Sequence, residues 1–194
     1  MRHPVAAAAA ILLVSQALAQ PASAAPYALD RSHAHVTFTV DHLGFSTVHG
    51  QFREFEAEIE FVPDRVEDSK VRFVIQTDSV DTFWPERDKH LRSKDFFNSD
   101  QFPEILFEST AIVPNGADTA KVTGNLEMVG ETREVTLDVK LNRMGPSPFD
   151  PSKTIAGFEV TGVIDRSQFG INFAAPAVGV MIPIRIDLEI SPEE

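Results

Sequence analysis

The segment from Glu86 to Phe97, ERDKHLRSKDFF, combines six charged residues and one histidine in its first nine positions. Carboxylates close to a histidine are the groups that general acid–base catalysis uses. Asp88 and His90 are two residues apart, however, and on a helix such side chains point in different directions. Anion recognition is a better use of the basic side chains, which are Arg87, Lys89, His90, Arg92 and Lys94. A solvated helix stabilised by its own salt bridges explains the pattern equally well, and both interpretations stay open at this point.

A second place where chemistry could occur is the histidine pair His33 and His35, whose spacing puts both side chains on one face of a strand. Two such histidines can begin a metal site. The same face carries Thr37, Thr39 and Asp41, which indicates that it faces water. The chain has no Cys, which excludes thiol chemistry, and it contains no nucleophile elbow, phosphate loop or dinucleotide motif. The sequence therefore predicts a protein that is not an enzyme and has no catalytic residue, bound metal or cofactor.

The charged segment is also the one stretch that predicts a helix. Thr82 can cap it, and Pro85 suits its first turn. Oppositely charged residues recur four positions apart, as in many exposed helices. One side of the segment is apolar, formed by Phe83, Trp84, Leu91, Phe96 and Phe97. Laid across the end of a barrel, such a helix would act as a lid.

The rest of the chain alternates between apolar and polar residues, most clearly in EFEAEIEF, Glu54 to Phe61. This period of two indicates strands with one buried and one wet face. About eight such segments follow one another, several of them long and most joined by short polar turns. Short turns predict an antiparallel meander, which can close as an up-and-down barrel or stack as a sandwich. The strand lengths favour the barrel, so we predict an all-β fold, an eight-stranded antiparallel barrel with one helix near a barrel end.

Two segments interrupt the alternation. Asp41 to Phe52 shifts its phase around Gly44, which predicts a bulge or sharp bend within a strand. Met144 to Lys153 is rich in proline and predicts a loop at a barrel rim.

Small residues at inward positions leave the nature of the barrel interior open. Ala57, Gly124 and Gly162 share faces with Phe, Ile, Leu and Val. Small side chains in the middle of a strand either admit a close backbone or leave space. An eight-stranded barrel is wide enough to be filled by side chains or to enclose one small ligand. The inward faces therefore predict a packed core or a narrow apolar cavity, without deciding between them.

The amino terminus and the charge suggest where the protein acts. Residues 1–24 have a basic start, an apolar run and small residues, which predicts a signal peptide cleaved between positions 19 and 25. Loss of Arg2 with this leader takes the formal charge from -12 to -13, which disfavours a nucleic-acid partner. No later segment is apolar and long enough to cross a membrane. We predict one domain over residues 25–194, in the periplasm or secreted.

Several motifs together resemble one family. HLGFSTVHGQF, SVDTFWPERDKHLRSKDFF, PEILFEST, GNLEMVGETREVTL and AGFEVTGVIDRSQFGI are similar to blocks of the YceI-like polyisoprenoid-binding proteins. The resemblance extends from about Tyr27 to Ile190. It implies an extended lipocalin-like barrel that is periplasmic or secreted and carries a long isoprenoid or fatty tail. Relatives have been associated with isoprenoid quinones, other lipids and apolar antibiotics.

The resemblance also implies a set of ligand-binding residues. The tail would run along Phe38, Val40, Phe55, Ala57, Ile59, Phe73, Ile75, Phe107, Leu126, Leu137, Phe158, Val160, Ile182 and Ile184. The mouth would be framed by Phe45, Ser46, Arg87, Asp88, His90, Leu91 and Arg92. The expected partner is a long-chain lipid or isoprenoid, held for transport, storage or sequestration. An isoprenoid-modifying enzyme and a scavenger of apolar toxic compounds remain as alternatives, and the oligomeric state, including a homodimer, stays open.

Overall fold

Strands make up most of the part of the chain that the computed structural model describes, residues 25–193. The predicted signal peptide, residues 1–24, lies outside this part. One helix, α1, runs from Pro85 to Leu91. The strands are β1 (Ala25–Leu29), β2 (His35–His42), β3 (Ser46–Phe52), β4 (Phe55–Phe61), β5 (Lys70–Gln76), β6 (Val80–Asp81), β7 (Glu104–Pro114), β8 (Thr119–Met128), β9 (Glu131–Pro146), β10 (Thr154–Asp165) and β11 (Met181–Pro192).

The first six strands form three passes along the barrel, each of them interrupted once. Strands β1 and β2 both pair with β11, where Leu29 lies opposite Ile190 and His35 lies opposite Asp187. By the same criterion, β3 and β4 form the second pass, and β5 and β6 form the third. With β7 to β11, these passes make eight, all antiparallel, and the pairing of β1 with β11 closes the ring. The predicted eight-stranded antiparallel barrel is therefore confirmed.

The alternation in β4 shows why these residues form a barrel wall. Phe55, Ile59 and Phe61 are buried, whereas the glutamates between them are exposed. Burying one large apolar side chain contributes roughly 1.5–3 kcal/mol to folding, and a shift of one residue would move the whole set into water. Phe61 packs edge-on against Tyr27 and also against Phe158, which lies on β10. The alternating pattern thus fixes both the strand register and the position of the core.

The phase shift near Gly44 has a different cause from the predicted bulge. Leu43 and Gly44 both have positive φ, 59° and 73°, and Phe45 donates its backbone N–H to the carbonyl of His42. Two central residues with positive φ are typical of the tight turns that join paired strands. The chain therefore reverses direction here and continues as β3. The predicted bulge or sharp bend within one strand is therefore a turn between two strands, because a short turn changes the phase in the same way.

The barrel has two distinct ends. The helix end contains α1, the β2–β3 turn and residues 166–180, which lie beside that turn through the bridge between His42 and Val178. The opposite end contains the connections 62–69, 115–118 and 147–153, the last of which is the predicted proline-rich rim. Phe149 in that rim is almost fully exposed. No helix within residues 25–193 combines the length and the apolar character that a membrane span requires.

Candidate ligand cavity

The barrel encloses an apolar cavity of about 600 Å³ that extends from the helix end to the opposite end. Its wall receives side chains from both interrupted and continuous passes. Most of the residues predicted from the resemblance lie on this wall: Phe38, Val40, Ile59, Phe73, Ile75, Arg87, His90, Leu91, Phe107, Leu126, Leu137, Phe158, Val160, Ile182 and Ile184. Their contact with a ligand stays a prediction.

Two predicted tail-binding residues do not lie on the cavity wall. The ring of Phe55 stacks on Phe73, with 5.6 Å between the ring centroids, and the guanidinium of Arg31 covers it at 4.1 Å. Phe55 is therefore enclosed by protein on both faces. Ala57 packs against the core on the same strand without reaching the cavity. The sequence could not show this placement, because a period of two gives the face of a side chain but not which neighbours cover it.

The inward glycines do not create the cavity. A Cβ atom on Gly124 would collide with the ring of Phe107, and one on Gly162 would collide with Leu137. Of the two alternatives, the close backbone holds at Gly124, where the Glu108 carbonyl is also in the way, and at Gly162 the space is occupied by the Leu137 side chain. The space lies instead beside inward residues that are only half-buried although they are in the middle of the barrel, such as Val139 and Val160. A fully packed core would bury these side chains.

Sequence reasoning missed part of the wall. On β7 to β9 it passed over residues that share the inward face with the predicted ones: Ile112, Val122, Met128, Val135, Val139 and Leu141. The alternation of apolar and polar residues in these strands was sufficient to identify them. At the helix end it assigned Phe96 and Phe97 only to the apolar side of the lid, and it did not identify Arg166, Ile171, Phe173 and Val178. The stretch from 166 to 178 has no periodicity, so no local signal identified it.

The α1 helix presents one face to the cavity. Arg87, His90 and Leu91 line the wall together, because residues three and four apart lie on the same side of a helix. His90 packs edge-on against Phe96 and Phe173, with ring centroids 5.1 and 4.9 Å away. These three rings form an aromatic cluster that joins α1 to residues 166–180 at the helix end.

Thr82 is the centre of a buried hydrogen-bond network rather than the cap of α1. The helix begins at Pro85, and Trp84 is its N-cap residue without a side-chain cap bond. Thr82 donates its backbone N–H and its hydroxyl to the Asp88 carboxylate, at 2.7 and 2.5 Å. Arg87 in turn donates from Nε to the Thr82 hydroxyl and from Nη2 to the Thr82 carbonyl, at 2.7 and 2.6 Å. The network fixes the Arg87 guanidinium at the cavity wall.

Four residues predicted to frame the mouth lie elsewhere. The Asp88 carboxylate is buried and bound to Thr82, so it is not in the lining of the cavity. Arg92 donates to the backbone carbonyls of Asp78 and Val80 and also lies outside that lining. Phe45 ends the β2–β3 turn with its side chain 89 % exposed, and Ser46, also exposed, begins β3. The sequence could not show this placement, because neighbouring residues of a helix or turn do not point in one direction, and contact of these four residues with a ligand stays a prediction.

A basic residue that the sequence did not single out, Arg166, organises the helix end. Its side chain is buried and donates to four backbone carbonyls, those of Ile171, Phe173, Val178 and Gly179. Burial lowers the pKa of the Arg166 guanidinium from its ordinary value. One side chain therefore fixes the irregular segment that completes the cavity wall.

A histidine and two carboxylates meet on the outside of the barrel. His33 bonds to Asp30 at 2.9 Å, and Glu189 lies close by. The hydrogen bond to Asp30 raises the pKa of His33, while the Asp30 pKa falls to about 2, mainly through the Ser32 hydroxyl. His33 ends a short turn and His35 begins β2, so the two histidines do not share a strand face. The three residues are outside the cavity lining, and the Asp30 carboxylate caps the short turn by accepting the Ser32 N–H.

Barrel and cavity together define the class of protein: an eight-stranded antiparallel barrel of the lipocalin-like type, whose interior is an elongated apolar space. Residues 27–191 match the family model described as YceI-like domain. The chain therefore belongs to the YceI-like family, which confirms the resemblance found in the sequence.

Relatives and solved structures support this assignment. A UPF0312 protein of Pseudomonas aeruginosa (strain LESB58) is 41% identical over 152 residues, which cover 77% of this chain and 78% of the relative. One of Yersinia pestis (strain Pestoides F) is 43% identical over the same length and coverage. The YceI protein of Campylobacter jejuni superposes with a TM-score of 0.70 at 28% identity, covering 79% of this chain and 90% of that one.

Two further structures share the fold at lower identity. Burkholderia cenocepacia BcnA gives a TM-score of 0.75 at 23% identity, over 83% of this chain and 98% of that chain. A polyisoprenoid binding domain from Saccharophagus degradans, implicated in plant cell wall breakdown, gives 0.68 at 13% identity, over 87% and 99%. The barrel is thus common to proteins with very different sequences.

Proposed function

We propose that this protein is a non-catalytic binding protein that encloses the chain of a long amphiphile, an isoprenoid or a fatty-acid-like lipid, inside its barrel. The observation that carries the proposal is the continuous apolar cavity of about 600 Å³. Each CH₂ group that moves from water into such a space contributes about 0.8 kcal/mol, so a long chain supplies ample binding energy. A compact polar substrate would gain little from this wall.

Family membership supports the same function. The Saccharophagus degradans domain is described as polyisoprenoid-binding, and it has the same barrel. At 13% identity this likeness concerns the fold alone, so the cavity of the present chain is the stronger argument. Both point to a lipid or isoprenoid as the bound molecule.

A binding function fits the polar groups of the cavity better than catalysis does. Thr82 is buried with its hydroxyl engaged by Asp88 and Arg87. His90 bonds to Asp95 through Nε2, and its ring lies against Phe96 and Phe173. General acid–base catalysis needs a titrating group within reach of the reacting atoms. The contacts of these residues instead shape and close the cavity.

The experiment that tests the proposal is native mass spectrometry of the purified protein before and after organic extraction. We expect a mass above that of the polypeptide before extraction, its loss afterwards, and a long-chain lipid in the extract. A titration of the extracted protein with a long-chain isoprenol should restore the added mass. Protein at the bare polypeptide mass that also fails to take up the isoprenol would contradict the proposed function.

We also propose that the protein acts in the periplasm or is secreted, because residues 1–24 have the composition of a signal peptide. The mature chain is expected to begin between Gln20 and Pro26. Amino-terminal sequencing of protein isolated from the native compartment measures this start directly. Folded protein that still begins at Met1 would argue against export.

A further inference from the structure

The charged groups of the cavity wall are divided between its two ends. At the helix end the ionisable lining residues are all basic: His42, Arg87, His90 and Arg166. The one carboxylate among the described lining residues, Asp118, lies between β7 and β8 at the opposite end. A protein with a formal charge of -12 therefore has a basic region at one end of an apolar cavity.

Arg87 is positioned with hydrogen-bond donors to spare. Its Nε and Nη2 groups are bound to the hydroxyl and the carbonyl of Thr82. A guanidinium has five N–H donors, and these two contacts occupy two of them. The half-buried side chain lies on the cavity wall, and the Trp84 ring lies 5.5 Å from its Cζ atom. Donors of Arg87 thus remain for a group inside the cavity.

The carboxylates near this region are engaged by other groups. The Asp88 carboxylate accepts from the Thr82 hydroxyl and reaches Arg87 only through this hydroxyl. Asp95 bonds to His90, and Asp165 accepts from Ser167.

Within residues 25–193, neither Arg87 nor Arg166 forms an ion pair, and the hydrogen bonds they donate go to neutral oxygens. Asp88 lies across the Thr82 hydroxyl from Arg87, and Asp165 adjoins Arg166, so both charges are partly balanced. An anion in the cavity would add a direct charge-assisted contact, which neither arginine has to a carboxylate.

We propose that the polar head group of the bound amphiphile is an anion, a phosphate or a carboxylate, that binds Arg87 at the helix end while its tail extends toward Asp118. Arg166 adds positive charge at the same end through its position beside Phe96, 6.0 Å from that ring. The inference rests on the proposed function and specifies its ligand class. Free anions are repelled by the acidic surface, so the apolar tail is needed for binding.

The test compares three ligands with the same C20 isoprenoid tail: geranylgeranyl phosphate, geranylgeranoic acid and geranylgeraniol. Each is titrated into extracted protein, as the parent, as Arg87→Gln and as Lys89→Gln. Lys89 is the matched control, because it is exposed on the same helix, lies off the cavity wall and undergoes the same change of charge. Circular dichroism and thermal unfolding check that each variant is folded.

We expect the parent to bind at least one of the two anions about tenfold or more tightly than the alcohol. Arg87→Gln should weaken binding of that anion by about ten- to a hundredfold and leave the alcohol unchanged, as expected for a lost charge-assisted hydrogen bond. Lys89→Gln should leave all three affinities within about twofold, because exposed charges contribute little. Comparison of phosphate with carboxylate identifies which anion is preferred.

Equal affinity of the parent for the alcohol and both anions would overturn the head-group inference and leave the proposed function intact. An equal loss for all three ligands in Arg87→Gln would also overturn it, because Arg87 would then support the wall rather than the anion. Failure of the parent to bind any of the three would count against the proposed function itself. Should Arg87→Gln not fold, Arg87→Lys and the comparison of ligands in the parent still decide the question.

Discussion

Val160→Phe should reduce binding of a long-chain isoprenoid by about tenfold or more while the free energy of unfolding of the ligand-free protein stays level. Val160 lies in the middle of β10, paired with Val139 and Ile186, and its half-buried side chain faces the cavity. The larger ring has room to enter the cavity, where it competes with the ligand tail. Titration of extracted protein and denaturant unfolding measure the two effects.

The matched control is the same substitution at a packed position. Val80 is fully buried and does not line the cavity, so Val80→Phe should overpack the core and cost about 1–3 kcal/mol of stability. A Val160→Phe variant that is destabilised as much as Val80→Phe would show that the interior is filled. Unchanged lipid binding in Val160→Phe would equally contradict the placement of the tail beside this residue.

Arg166→Met should lower the free energy of unfolding by roughly 3–5 kcal/mol, because it leaves one buried and three partly buried carbonyls without a donor. The methionine replaces the aliphatic part of the side chain but none of the hydrogen bonds to Ile171, Phe173, Val178 and Gly179. Equilibrium unfolding in urea measures the loss. Residues 166–180 should also become more accessible to protease, because their main anchor is removed.

Arg133→Met serves as the comparison for that experiment. Arg133 is an arginine on β9 whose side chain is 41% exposed and bonds to Glu131 and the Thr132 carbonyl. Its replacement should change stability by no more than about 1 kcal/mol. Similar small effects at both positions would mean that the segment after β10 does not depend on Arg166.

The barrel could be predicted because each strand buries one face, so that apolar and polar residues alternate along the sequence. This alternation does not show where the first three passes are interrupted. Asp30 caps a short turn by accepting the Ser32 N–H at 2.9 Å, and the strand pattern resumes at His35 on the far side. Ala25 to Leu29 escaped prediction as a strand, although Tyr27 is buried, because the segment is short and directly follows the predicted signal peptide.

The cavity wall was predictable along the strands and much less so at the helix end. Arg87 and Arg92 resemble each other in sequence, yet five residues on a helix correspond to about 140° of rotation, so they cannot face the same way. One lies on the cavity wall, and the other binds backbone carbonyls on the far side of α1. Arg166 gave no signal, since its role depends on carbonyls that only the folded chain brings around it.

The interruptions of the first three passes lie at one level of the barrel and contact one another. Arg31 donates to the carbonyl of Arg53, and the Arg53 N–H donates to the carbonyl of Ser79. The wall formed by β7 to β11 has no such interruption, since each of these strands runs for 10 to 16 residues. The barrel therefore has one side of interrupted strands and one side of continuous strands. Under the proposed function, widening the interior to admit a chain would break the fewest ladder hydrogen bonds along the side with the interruptions.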